Sequence, residues 1–293
     1  MNDSEIISLI EQRFSGLSPQ LRQAARFVID NPETIALNSM RSAAESAKVH
    51  PSTMLRLARQ LGFDSYDPFR DRFRDWLMAR GSSSSWSGRA QTLRRQPRGS
   101  ASATLVENMV AQEQDNLRAT FDADALERLN KACALISGAR RVYILGLRSL
   151  FPIAFYFHYV CRMFMNKTVL LTGVGGTFAD ELRNVDSNDV LIAFSYQPYA
   201  RDTVKAVKFA RERGARIVAV SDSRVAPVIG SAEVGIVVSN ATPSLFPTIL
   251  PGFAVAQALV ALLVSESGDE TMAEIARSEL QLDSFGVYVD GRN

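Results

Sequence analysis

The run of residues 42–63 constrains the fold of this chain more than any other stretch. Ala43, Ala44 and Ala47 lie three and four residues apart and are small enough for a second helix to cross closely. Val49 is placed to plug a corner, and Pro51 stands where a helix can begin without losing a needed N–H. Leu55, Ala58 and Leu61 recur at helical spacing and are expected to face inward, while Ser52, Thr53, Arg56 and Arg59 face outward. Gly62 is expected to end the helix. Two short helices with a buried inner angle and a polar, basic outer face make a helix-turn-helix, whose second helix enters a DNA major groove.

The same hairpin also serves as a plain packing unit in helical domains. Two features favour an anionic partner. No carboxylate occurs between Ser52 and Gln60, and Arg70, Arg72 and Arg74 follow, interleaved with Phe69 and Phe73. Residues 41–100 hold twelve Lys/Arg against five Asp/Glu, whereas residues 101–293 hold eighteen against twenty-one. A basic front on a slightly acidic body places the anionic partner at the front. Double-stranded operator DNA is the expected partner, with Ser52, Thr53 and Arg56 at bases or nearby phosphates and Lys48 and Arg59 on the backbone.

A length of 293 residues suits two domains. Residues 1–80 read as entirely helical. Residues 81–103, rich in Ser, Gly and Arg, read as a flexible linker. In residues 104–293 apolar runs of strand length, at 142–145, 168–171, 190–194, 217–220 and 234–238, alternate with helical segments at 152–165, 177–184, 201–213 and 225–230. The expected architecture is therefore an all-α helix-turn-helix domain followed by an α/β domain with a parallel sheet covered by helices on both faces. Cys133 and Cys161 form neither a disulfide framework nor a metal motif, which fits a reducing cytoplasm and no cofactor. The N-terminus has no signal-peptide pattern. Residues 234–265 carry no charge, but Pro243, Pro247, Pro251 and Gly252 interrupt them, so they are expected in a core or subunit interface and not in a membrane.

Ligands of parallel sheets bind beyond the carboxyl ends of the strands. Three loops there hold candidate binding residues: Gly146, Arg148 and Ser149 after the first strand; Ser195, Tyr196, Gln197 and Arg201 after the third; Ser221 after the fourth. The run Gly173 to Thr177 lacks the lysine of a P-loop and reads as a turn.

The segment Ser52 to Phe63, with Tyr66, Phe69 and Arg70, and the strand-to-loop segments 189–195 and 217–222, resemble the RpiR/MurR-like transcriptional regulators. That resemblance implies an N-terminal helix-turn-helix domain, a C-terminal sugar isomerase (SIS) domain that senses a sugar phosphate or related carbohydrate derivative, and a homodimer or homotetramer. The chain departs from the family's phosphate-gripping loops, with Arg148 and Leu150 in the first and Gln197, Pro198 and Ala200 in the second. Arg148 and Arg201 are available instead, and guanidinium suits phosphate or carboxylate. A small anionic metabolite is therefore the expected effector. A rival reading is an aldose–ketose isomerase, for which His158, Asp180 and Glu181 are the residues to consider as base. A third is a scaffold that only dimerises, through the helix at 253–264.

Overall fold

A computed structural model describes residues 3–80, 86–95 and 100–289. The chain forms two units: the residues up to Val106 together with Pro243–Phe246, and Glu107–Thr242 together with the residues from Pro247 onward.

Among its described residues the regular elements of the first unit are helices: α1 (Asp3–Arg13), α2 (Pro19–Asp30), α3 (Pro32–Leu37), α4 (Met40–Ser46), α5 (Pro51–Gln60), α6 (Tyr66–Arg80) and α7 (Trp86–Arg95). Prolines at the starts of α2, α3 and α5 occupy positions where a missing N–H costs nothing. Ile6, Ile10, Leu21, Ala24, Ala25 and Val28 pack with Ala43, Ala44, Met54 and Leu57 in one core. Tyr66, Phe69 and Phe73 belong to that core, with the Phe69 and Phe73 ring centroids 5.0 Å apart, so these three aromatics stabilise the unit. Arg74 donates to the Ala36 carbonyl at 2.9 Å and Arg70 pairs with Asp67 at 3.0 Å, so two of the three arginines there serve the fold.

Two expectations are corrected in this unit. The buried stripe of α5 is Met54, Leu57, Ala58 and Leu61, and Leu55 is only half-buried. The i, i+3, i+4, i+7 pattern keeps one face, whereas a 55, 58, 61 series steps by three and drifts about 60° per step at ~100° per residue. The segment expected to be a flexible linker contains α7, because after the Ser/Gly run the sequence turns to Arg, Gln and Leu, which favour helix.

α8 (Ser100–Thr120) runs from the end of the first unit into the second, which continues with α9 (Ala125–Gly138), β1 (Val142–Gly146), α10 (Phe151–Cys161), β2 (Thr168–Leu170), α11 (Phe178–Glu181), β3 (Val190–Ser195), α12 (Arg201–Glu212), β4 (Arg216–Ser221), β5 (Val234–Val237), α13 (Leu250–Ser265) and α14 (Asp269–Ser284). The strands form one sheet in the order β2-β1-β3-β4-β5, parallel at every pairing. Every residue of β1 and β3 is buried. Alternate side chains supply two cores. Val142, Ile144, Ile192, Phe194 and Val220 pack under α9, α10 and α13. Tyr143, Leu145, Leu191, Ala193 and Ile217 meet Ala206, Val207 and Ala210 of α12 on the other side. Each fully buried large aliphatic side chain contributes roughly 1.5–3 kcal/mol. The segment expected to be helical at 225–230 forms only a short 3-10 turn, Ile229–Ser231.

Asp189 is fully buried at the amino edge of the sheet, where Arg140 grips it at 3.0 and 2.8 Å and the Asp186 N–H donates at 2.9 Å. At the other edge Gly146 lets α10 lie close on β1. A Cβ there would stand 2.5 Å from the Leu150 carbonyl oxygen and 2.9 Å from the Ala154 Cβ. Both cysteines are buried under the sheet, and burial pushes their thiols up, Cys133 to about 11 and Cys161 to about 12. Among the described residues no single helix is long and apolar enough to cross a membrane.

Gly146→Ala is expected to destabilise the second unit by about 1–3 kcal/mol, the usual cost of overpacking. Urea unfolding followed by circular dichroism checks this; an unchanged midpoint would show that α10 does not depend on that close approach.

Candidate functional site

In the first unit, the outward face of α5 is set by the turn before it. Lys48 adopts the left-handed conformation at φ 54°, and the Val49 N–H bonds the Ala44 carbonyl at 2.9 Å. Gln23 of α2 clamps the turn from behind, donating to the Ala47 carbonyl at 3.0 Å and the Lys48 carbonyl at 3.2 Å. At the far end Gly62, with φ 94°, and the Phe63 N–H bonded to the Ala58 carbonyl at 3.0 Å terminate α5. Arg13 of α1 donates to the Gln60 carbonyl. α5 is thus held at both ends. Lys48, Ser52, Arg56 and Arg59 are exposed and Thr53 is half-buried. Counting roughly 100° per residue, Ser52, Arg56 and Arg59 fall within about 60° of one another, opposite the buried stripe.

His50, which the sequence reading passed over, is the N-cap of α5. Its Nδ1 accepts from the Ser52 N–H at 3.3 Å and lies 2.8 Å from the Ser52 Oγ. The signal was present: the residue before a proline at the first helical position is extended, here φ −72°, ψ 145°, and so takes the capping place.

In the second unit, the strand order puts the topological switch point between β1 and β3. Two helices start beside it. α10 is preceded by the Arg148–Leu150 turn and α12 by Ala200, and neither start carries a side-chain cap. Uncapped N–H groups and the positive helix end suit an anion at both. Arg148, with φ 57°, Ser149, Gln197 and Arg201 are exposed around this edge. Ser195 is buried at the end of β3, and its Oγ has no hydrogen-bond partner among the described residues. The Ser221 Oγ donates to the Ser195 carbonyl at 2.5 Å, joining the ends of β3 and β4.

Two of the expected binding residues are taken up by packing. The Tyr196 ring is buried in the core under α13; its hydroxyl comes within 2.4 Å of where a Cβ on Gly252 would stand. Burial raises that hydroxyl well above the usual phenol range. The residue continues the apolar face of β3 with Phe194, so core packing claims its ring. Gly146 is enclosed beneath Leu150 and Ala154 and acts through packing.

Asp222, not among the expected residues, ties the loops of this edge together. It accepts from the Gln197 N–H at 3.0 Å and the Asn240 side chain at 3.4 Å, and it is bonded to Tyr199. Loss of solvent outweighs these bonds and raises its carboxyl above the ordinary range. Behind this edge, buried Asn116 of α8 donates to the Ala241 carbonyl at 2.7 Å and accepts from Ser239 at 2.9 Å, holding the segment after β5.

Two of the three candidates for an isomerase base, Glu181 and Asp180, are engaged in the fold. Glu181 accepts from the Thr172 N–H at 2.8 Å and the Gly173 N–H at 3.1 Å, pinning the glycine turn after β2. Asp180 pairs with Arg183. His158 sits partly buried on α10, where desolvation and Arg162 push its imidazole below the ordinary range.

Because Asp222 holds its proton more tightly in the folded chain, stability is lost as pH rises from about 4, the unfolded value, through the raised folded one. Asp222→Asn removes that loss. Its stability relative to wild type, from urea unfolding at several pH values, should therefore rise with pH; a flat or falling difference would contradict the assignment.

The SIS domain family matches residues 135–264. The uncharacterized HTH-type transcriptional regulator YfhH of Escherichia coli is 21% identical over 213 residues, 72% of this chain and 73% of its own. The uncharacterized HTH-type transcriptional regulator TTE0211 of Caldanaerobacter subterraneus is 18% identical over 248 residues, 81% of each chain. Among solved structures, the sugar isomerase domain of the RpiR transcription factor from Sphaerobacter thermophilus is similar, with a TM-score of 0.57 and 24% identity, covering 60% of this chain and all but 2% of that one, 98%. The Vibrio vulnificus NanR protein complexed with ManNAc-6P gives a TM-score of 0.58 at 14% identity and covers 97% of this chain and 100% of its own.

Proposed function

For an RpiR-like chain whose residues 135–264 are a SIS domain, we propose a DNA-binding transcriptional regulator that senses a small anionic metabolite. The observation that carries this reading is the outward face of α5: exposed Ser52, Arg56 and Arg59 on a helix held at both ends and backed by a closed core. Arg56 is assigned to a base edge and Arg59 and Lys48 to phosphates, with Thr53 at the margin. Double-stranded operator DNA is the partner.

The effector is assigned to the switch point of the second unit, between the starts of α10 and α12. Arg148 and Arg201 supply positive charge, and Ser149, Ser195, Gln197 and Ser221 line or support the edge. NanR's complex with ManNAc-6P supports a phosphorylated sugar, and the two arginines equally suit a sugar acid. A sensing role is favoured over catalysis because Glu181 spends its carboxylate on the turn at Thr172 and Gly173. An even-numbered assembly is supported by Phe151, Phe155 and Tyr159, which form an exposed aromatic ladder along α10 with centroids 6.1 and 6.4 Å apart.

DNA binding is tested on the fragment upstream of the protein's own gene, over a salt series. Arg56→Ala is expected to lose about 1–3 kcal/mol of preference for that fragment over random duplex. Arg59→Ala should weaken both and reduce the slope of log K against log salt by about 1. Wild-type binding no stronger than to random duplex would remove the regulator reading.

A further inference from the structure

We propose that His50 contacts DNA directly, donating its Nε2–H to a phosphate at the edge of the groove while its other nitrogen caps α5. This rests on the reading of α4 and α5 as a recognition unit. A backbone N–H can only donate, so the bond from Ser52 N to His50 Nδ1 makes Nδ1 an acceptor. In a neutral imidazole the hydrogen must then sit on Nε2. The ring geometry turns Nε2 away from Ser52, and the residue is exposed.

The start of α5 offers a phosphate little else. Pro51 has no N–H, the Ser52 N–H is given to the imidazole, and the Thr53 N–H is bonded to the His50 carbonyl at 2.8 Å. The backbone donors that usually meet an anion at such a place are therefore taken, and a donor has to come from a side chain. No carboxylate stands in the first turn to repel the phosphate. Ser, Asp or Asn would cap the helix at least as well. What histidine adds is a second donor with a fixed outward direction, which locks the entry of α5 to the DNA backbone through the same ring that starts the helix.

The experiment compares His50→Asn with wild type on the upstream fragment and on random duplex, over a salt series, at one mildly alkaline pH where free imidazole is uncharged. Asn keeps the cap, so the thermal midpoint should stay at the wild-type value. Affinity should fall about tenfold on both duplexes, as for loss of one hydrogen bond to a charged group. The salt slope should not change, because no charge is removed. His50→Ala, which loses the cap too, should weaken binding equally and also lower the thermal midpoint. Wild-type affinity in His50→Asn would reduce the residue to a cap and overturn the proposal. So would a loss confined to the upstream fragment, which marks a base contact, or a slope reduced by about 1, which marks a charged ring. If wild type itself prefers no fragment, the recognition-unit reading fails first, before the variant is measured.

Discussion

Burial of both faces of the central strands is the constraint on which the second unit depends. A parallel sheet cannot leave a face to water, and β1 and β3 are buried at every residue. Their side chains must therefore meet helices on both sides, α9, α10 and α13 on one and α12 on the other. Polar groups are driven to the two edges of the sheet. At the amino edge they are consumed in structure: Arg140, Asp186 and Asp189 satisfy one another, and Lys167 covers the end of α9 by donating to the Ser137 and Ala139 carbonyls. At the carboxyl edge, Ser195, Ser221, Asp222 and the uncapped starts of α10 and α12 remain beside the switch point. Polar groups gather there because the interior of the sheet has no room for polar chemistry.

The first unit solves a different problem with small residues. Ala43, Ala44, Ala47 and Ala58 are fully or almost fully buried, which lets α4 and α5 cross closely over Met54 and Leu57. The angle between the helices is fixed by packing and by the Gln23 clamp, and the outer face of α5 is free to carry charge. An alanine-lined crossing and a basic face are two sides of one arrangement: the first holds the second in position.

Periodicity made the main elements legible. The parallel strands, the helices α10 and α12 between them, the corner at Val49 and the stop at Gly62 follow directly from apolar spacing and glycine placement. What escaped has physical reasons. Leu55 reads as inward because every third residue resembles a helical face over a short window, whereas the face that is buried carries Met54. Tyr196 looked like a loop residue because it follows Ser195, but the two-residue period of β3 continues through it and turns the ring into the core against Gly252. Glu181 was a candidate base by residue type; only the fold brings it back onto Thr172 and Gly173. Asp222 and His50 are long-range or capping effects, which the spacing of one residue type does not reveal.

A regulator of the proposed kind requires that ligand at the carboxyl edge of the sheet and DNA at α5 bias the same equilibrium. The most direct measurement titrates the upstream fragment with and without each of a panel of sugar phosphates, ManNAc-6P among them, and sugar acids. It then titrates the same compounds with and without DNA. One compound should shift DNA affinity by about fivefold or more, and DNA should shift the affinity for that compound by the same factor. A compound that binds at Arg148 and Arg201 yet leaves DNA affinity unchanged would contradict that coupling.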